Sequence, residues 1–262
     1  QFPAAALAFR RGYVRRGDPV VEESRALHSM WAGRTPIIAE SSRFDPNRDA
    51  GDIAPDSSVK AGVDPYAFLA GAVTVAYDAD EKQTKVADLG TLIEHVDGGV
   101  RVRSVTGQVE LNTAEGYCTV NAPKCQGVTA HFRNRQTFEL KDVTVESENT
   151  HGAVMVVPLD DQPLAVSGRV PVQVGMPCRP TGWRTRSASI TPKGGEPVEG
   201  RLVVDYGGPP WAVEVPRVRV TLRNEQLTRG TVLDMNGMPR GAVVLENGAF
   251  TFPGDAMYVV LQ

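Results

Sequence analysis

The sequence predicts a mainly β fold, with two β-sandwich-like domains preceded by a partly helical N-terminal arm. Three observations carry that prediction. Apolar and polar residues alternate in short runs, as at Val73, Val75 and Tyr77 or at Val128, Ala130 and Phe132, the period of a strand with one buried face. Turn formers separate such runs every ~8–12 residues, the spacing of a sandwich. Helix-favouring composition is concentrated at the start, where Pro3 to Tyr13 is rich in Ala and Leu.

In chain order, residues 1–60 form the expected arm. After its helix, Val20 to Trp31 reads as strand or short helix. Thr35-Pro-Ile-Ile-Ala-Glu40 is a short apolar run, and Asp45 to Ser58 is dense in turn formers and reads as loop. Residues 61–176 are the first expected sandwich. Strands are predicted at Val73–Tyr77 and Val100–Val105, and three more fall between Ser104 and Phe132. Thr113-Ala-Glu-Gly116 and Ala122-Pro-Lys124 supply the turns of that central stretch. Further strands are expected at Thr137–Val145, Gly152–Val157 and Val166–Val174, and one helical turn within Asp88–His95. Met176-Pro-Cys-Arg-Pro-Thr-Gly182 reads as a hinge between domains. Residues 177–262 are then a second, smaller sandwich, with strands from Leu202 through Met257–Leu261. Asn236-Gly237 and Asn247-Gly248 favour the positive φ of tight hairpins. No internal repeat is visible.

The 262 residues are 41% hydrophobic and 23% charged, ordinary for a globular chain with a real core. A net charge of −3 argues against a nucleic-acid partner, because phosphate recognition needs a concentrated basic surface. No apolar run approaches the ~20 residues that span a bilayer. The opening residues read as the middle of a helix, with no signal peptide, so a processed product or a fragment is expected. Cys118, Cys125 and Cys178 form no metal spacing and no disulfide framework. Free, buried thiols are expected. A Cys118–Cys125 bridge requires Cα atoms within about 7 Å.

The wording of several phrases adds a resemblance. Phe2-Pro-Ala-Ala-Ala-Leu with Phe9-Arg-Arg-Gly, Asp45-Pro-Asn-Arg-Asp, Ser104-Val-Thr-Gly-Gln, Pro123-Lys-Cys-Gln-Gly-Val and Pro253-Gly-Asp-Ala-Met-Tyr-Val-Val resemble the carboxy-terminal third of large bacterial glycoside-hydrolase-like proteins. In those, a (β/α)8 barrel precedes β-sandwich domains. The resemblance implies that residues 1 to about 20 are the last helix of a barrel and that the catalytic carboxylates lay upstream. A secreted or periplasmic location goes with that reading.

Candidate sites follow from the chemistry of sugars. Glycoside hydrolysis needs two carboxyl groups ~5–9.5 Å apart. Glu40 and Asp45 are the candidates if this chain hydrolyses sugars itself, against a plain reading as a strand end and a turn cap. Asp45, Asn47, Asp49 and Asp52 alternate oxygen ligands as calcium loops do, yet the glycine is one position late and no bidentate Glu closes the loop. The cofactor expectation is therefore none, or Ca2+. A pyranose is held by stacking on Trp or Tyr; Tyr206 and Trp211 flank the stiff Gly-Gly-Pro-Pro segment, and Trp183 sits just past the expected hinge. The competing reading buries Trp211 in the sandwich core. The four histidines have no metal spacing, and no nucleophile elbow is present.

The leading expectation is an ancillary β-sandwich portion of a carbohydrate-active enzyme, binding polysaccharide or oligosaccharide by aromatic stacking. A glycoside hydrolase acting through residues 40–52 is the alternative. A structural or oligomerising module is another, in which a bare apolar face on residues 1–40 meets a second copy or the missing barrel.

Overall fold

The computed structural model describes residues 3–34, 37, 62–191 and 196–262, and all structural statements concern these. The fold is mainly β. Helix α1 (Pro3–Arg11) is followed by strand β1 (Pro19–Arg25) and the short helix α2 (Leu27–Trp31), then by helix α3 (Ala67–Ala70), β2 (Ala72–Tyr77) and β3 (Lys85–Val86). β1 lies between β2, to which it is parallel, and β3, to which it is antiparallel. The sequence thus resolves its own ambiguity at 20–31 by making both elements. Pro19-Val-Val-Glu-Glu carries two adjacent β-branched valines and forms the strand, while Leu27-His-Ser-Met-Trp has no β-branched residue and forms the helix.

The next strands form half of a ten-stranded antiparallel sheet. They are β4 (Ile93–Val96), β5 (Gly99–Arg103), β6 (Val109–Asn112), β7 (Tyr117–Ala122) and β8 (Cys125–Ala130), joined by hairpins in chain order. β9 (Thr137–Glu139) and β10 (Val143–Ser147) leave for a second, four-stranded sheet, and β11 (Gly152–Val156) and β12 (Val170–Gly175) return to the first. Then comes a long excursion, β13 (Cys178–Thr181), β14 (Arg184–Ile190), β15 (Val198–Asp205) and β16 (Gly208–Val213). The chain ends its strands with β17 (Val218–Leu222), β18 (Arg229–Leu233), β19 (Pro239–Val244), β20 (Ala249–Thr251) and β21 (Tyr258–Leu261).

The expected division at 176/177 is not the one the sheets make. β17 lies between β10 and β20 in the four-stranded sheet, and β21 lies between β12 and β18 in the ten-stranded one. One core fills the space between them. Val145, Val154, Val172, Val220, Phe250, Val259 and Leu261 are all fully or nearly fully buried in it. Buried amides stitch the same boundary. The Asn149 Nδ2 donates to Glu214 Oε1 at 2.8 Å and to the Val215 carbonyl at 2.9 Å, and its Oδ1 accepts from the Arg217 N–H at 2.7 Å. The Asn224 Nδ2 donates to the carbonyls of Leu164 and Ser167. Residues 177–182 are therefore not a hinge but the start of an insertion into one sandwich.

The outer face of the large sheet is covered in two places. Ala4, Ala8 and Tyr13 of the α1 region pack on Ala122, Cys125 and Val157. Val20, Val21, Ala67 and Ala70 pack on Ile93, Val100 and Val102. Alternation sends those residues outward while Glu110, Asn112, Tyr117 and Thr119 face the other way. The Asn247-Gly248 turn has φ of 52° and 75°, as a tight hairpin demands. Asn236-Gly237 differs. Only Gly237 has positive φ, and the Asp234 carboxylate accepts the N–H groups of Asn236 and Met238.

The cysteines are all free, as expected, but only Cys125 is buried; Cys118 is partly exposed and Cys178 exposed. Register excludes a bridge, since Cys118 lies opposite Thr129 and Cys125 opposite Ala122. Burial pushes the Cys125 thiol up to about 11. A thiolate-specific reagent at pH 8 is expected to label Cys178 quickly and Cys125 only on unfolding. Rapid labelling of Cys125 in the folded protein would contradict this packing.

Candidate functional site

The insertion forms a two-stranded ribbon in two parts. Near the sandwich, β13 pairs with β16, putting Cys178 opposite Val213 and Pro180 opposite Trp211. Farther out, β14 pairs with β15 from Arg184–Asp205 to Ile190–Val198. Between them the ribbon bends. The Thr181 hydroxyl donates to the Pro210 carbonyl at 2.6 Å and the Trp183 N–H to the Pro180 carbonyl at 3.1 Å. Gly207 sits at φ 63°, and a Cβ there would fall 2.2 Å from the Thr181 carbonyl oxygen. Only glycine fits this corner.

The bend carries two of the three predicted aromatics. Trp183 and Tyr206 meet edge to face with centroids 5.7 Å apart, an arrangement that fixes both rings. Beside them the Arg184 guanidinium donates to Asp205 at 2.9 Å, and the Gly207 N–H donates to the other carboxylate oxygen at 2.9 Å. Those two donors, the backbone N–H first, hold the Asp205 carboxyl below its usual range. Trp211 stands on the inner part of the ribbon, opposite Pro180, and is 63% exposed. The reading that buries it in the core is overturned. β16 belongs to the ribbon, and among the described residues no second sheet packs against it. Tyr206 is 70% exposed and Trp183 partly so. The structure thus brings Trp183 and Tyr206 into contact, and sets Trp211 on the adjoining segment.

The carboxylate and calcium candidates, Glu40, Asp45, Asn47, Asp49 and Asp52, lie outside the described residues. Among the described residues no group of three or more His, Cys, Asp and Glu is arranged to hold a metal. No described helix is long and apolar enough to cross a membrane.

A polar network that the sequence reading missed lies on β5–β7. Glu110 accepts from the Tyr117 hydroxyl at 2.8 Å, from Arg101 at 3.0 Å and from Arg103 at 3.2 Å. Burial pushes the Glu110 carboxyl up, but the Tyr117, Arg101 and Arg103 hydrogen bonds outweigh it and leave it below the usual range. A carboxylate so held stays ionised and is a poor proton donor. Arg101-x-Arg103 on one strand and Glu110 on the next were visible in the sequence, but only the hairpin register aligns them. Arg135 completes the area, its guanidinium 4.7 Å from the Phe138 centroid and 5.6 Å from that of Tyr117.

No protein-family model, curated protein or solved structure matches this chain.

Proposed function

We propose that this chain is a non-catalytic saccharide-binding unit, the ancillary β-sandwich portion of a carbohydrate-active enzyme. The observation that supports this reading is the placement of Trp211, Tyr206 and Trp183 on a projecting ribbon rather than in the core. Large aromatics left in solvent on a stiff scaffold are the exception in a folded chain. A pyranose presents a flat C–H face to such a ring, and its hydroxyls bond to planar charged groups. Arg184 and Asp205 lie beside the Trp183–Tyr206 pair, and each retains further donor or acceptor capacity. Pro180 opposite Trp211 and the edge contact between Trp183 and Tyr206 limit the side-chain freedom lost on binding.

Calorimetric titration against a panel of plant and algal polysaccharides tests the proposal. Trp211→Ala is expected to weaken binding at least about tenfold, within the range of removing an exposed aromatic anchor. The melting temperature should stay unchanged, because the ring touches no core. Unchanged binding by the variant, or no binding by the parent chain to any member of the panel, would overturn the reading.

A further inference from the structure

The two faces of the outer ribbon differ. The register puts Ile190, Ala188, Val198, Gly200 and Leu202 on one side, with Arg186 opposite Leu202, while Ser187, Ser189, Glu199 and Arg201 share the other with the Thr185–Val203 pair. Ile190, Val198, Leu202 and Val204 are each 41–55% exposed. A two-stranded ribbon alone in water is at best marginally stable. An open strand edge is also a template for another strand.

β15 is the edge best suited to that. It has eight residues, contains no proline, and is paired on one side only among the described residues. Other sheet edges are blunted. β19 begins Pro239-Arg240, β13 and β16 contain proline, β4 has only four residues, and β3, β9 and β20 have three or fewer. β14 carries Arg184 and Arg186 with no acidic residue between them, and β2 carries no charge that would fix a register.

We propose that β15 pairs antiparallel with β15 of a second copy of this chain, about a two-fold axis through Gly200. In that register Glu199 of each copy lies opposite Arg201 of the other, and Val198 opposite Leu202, each pair occurring twice by symmetry. Moving the axis to 199 or 201 would set Glu199 or Arg201 against itself. The side-chain period of two keeps each face on its own side of the joined sheet. The self-complementary order Val-Glu-Gly-Arg-Leu therefore selects one register, and the apolar cross-strand pairs cover part of the exposed stripe. This pairing does not depend on saccharide binding.

Sedimentation and a designed crosslink test the proposal on the full chain. The mass at high concentration should be twice the 28.2 kDa of one chain. Glu199→Arg and Arg201→Glu should each weaken association by about tenfold or more, because each creates two like-charge cross-strand pairs. Glu199→Arg combined with Arg201→Glu should restore it. Gly200→Cys, in a Cys178→Ser background, should oxidise to a covalent dimer, since a Cβ at 200 meets nothing within 4 Å. A chain that stays monomeric, or a dimer indifferent to both single reversals and lacking the Gly200→Cys crosslink, would overturn the proposal.

Discussion

A chain cut between Met176 and Pro177 is expected to give two pieces, neither of which folds alone. The first piece would keep β8, β11 and β12 but lose β21 from the exposed side of β12, and β17 from β10. The second would keep β17, β20, β18 and β21 without the strands that cover them. Val145, Val172 and Leu261 would lose partners from the single core they share. With domain stability only about 5–15 kcal/mol, that loss is not survivable. Each piece should show no cooperative melt, and mixing them should restore one. A cooperative melt from residues 177–262 alone would mean that the second sandwich expected from the sequence exists after all.

Phe132→Ala is expected to remove about 3–5 kcal/mol, the usual cost of emptying a large aromatic site that cannot collapse. Phe132 is fully buried and meets Phe138 edge to face with centroids 5.9 Å apart; Phe138 in turn meets Tyr117 at 5.3 Å. This chain of rings runs from β7 of the large sheet to β9 of the small one, so both sheets line the cavity. Denaturant titration should show a lower midpoint with an unchanged slope. A loss below about 1 kcal/mol would indicate that the two sheets close over the gap.

Much of the strand content was legible because it is a local property. Val128, Ala130 and Phe132 alternate and are buried, and Thr129 and His131 are exposed between them. The helix at Pro3–Arg11 was likewise carried by its Ala and Leu. What was not legible is which strands meet. Two prolines and a glycine in residues 176–182 suit a linker as well as the base of a projecting ribbon, and only the β13–β16 pairing distinguishes the two. β14 escaped notice because Arg184-Thr-Arg-Ser-Ala-Ser-Ile190 buries neither face, so it has no apolar alternation to detect. The same fact explains Trp211. A Trp at a strand position predicts burial only where a second layer lies over the strand, and among the described residues none does here. Nothing in the sequence singles out Glu110, since its three donors come from residues 101, 103 and 117, brought together by two hairpins.

The position of β21 has a consequence for synthesis of the chain. Its neighbours β12 and β18 are made earlier, yet they cannot join until residues 258–261 have left the ribosome. Until then the large sheet exists as two fragments, each with an open edge, and Val170, Val172 and Val174 lack one flanking strand. Closing this seam brings together segments about 90 residues apart, the kind of long loop that slows folding. The nascent protein is therefore most vulnerable to mispairing between the emergence of β12 and that of β21, and a chaperone that shields β12 would act in that interval.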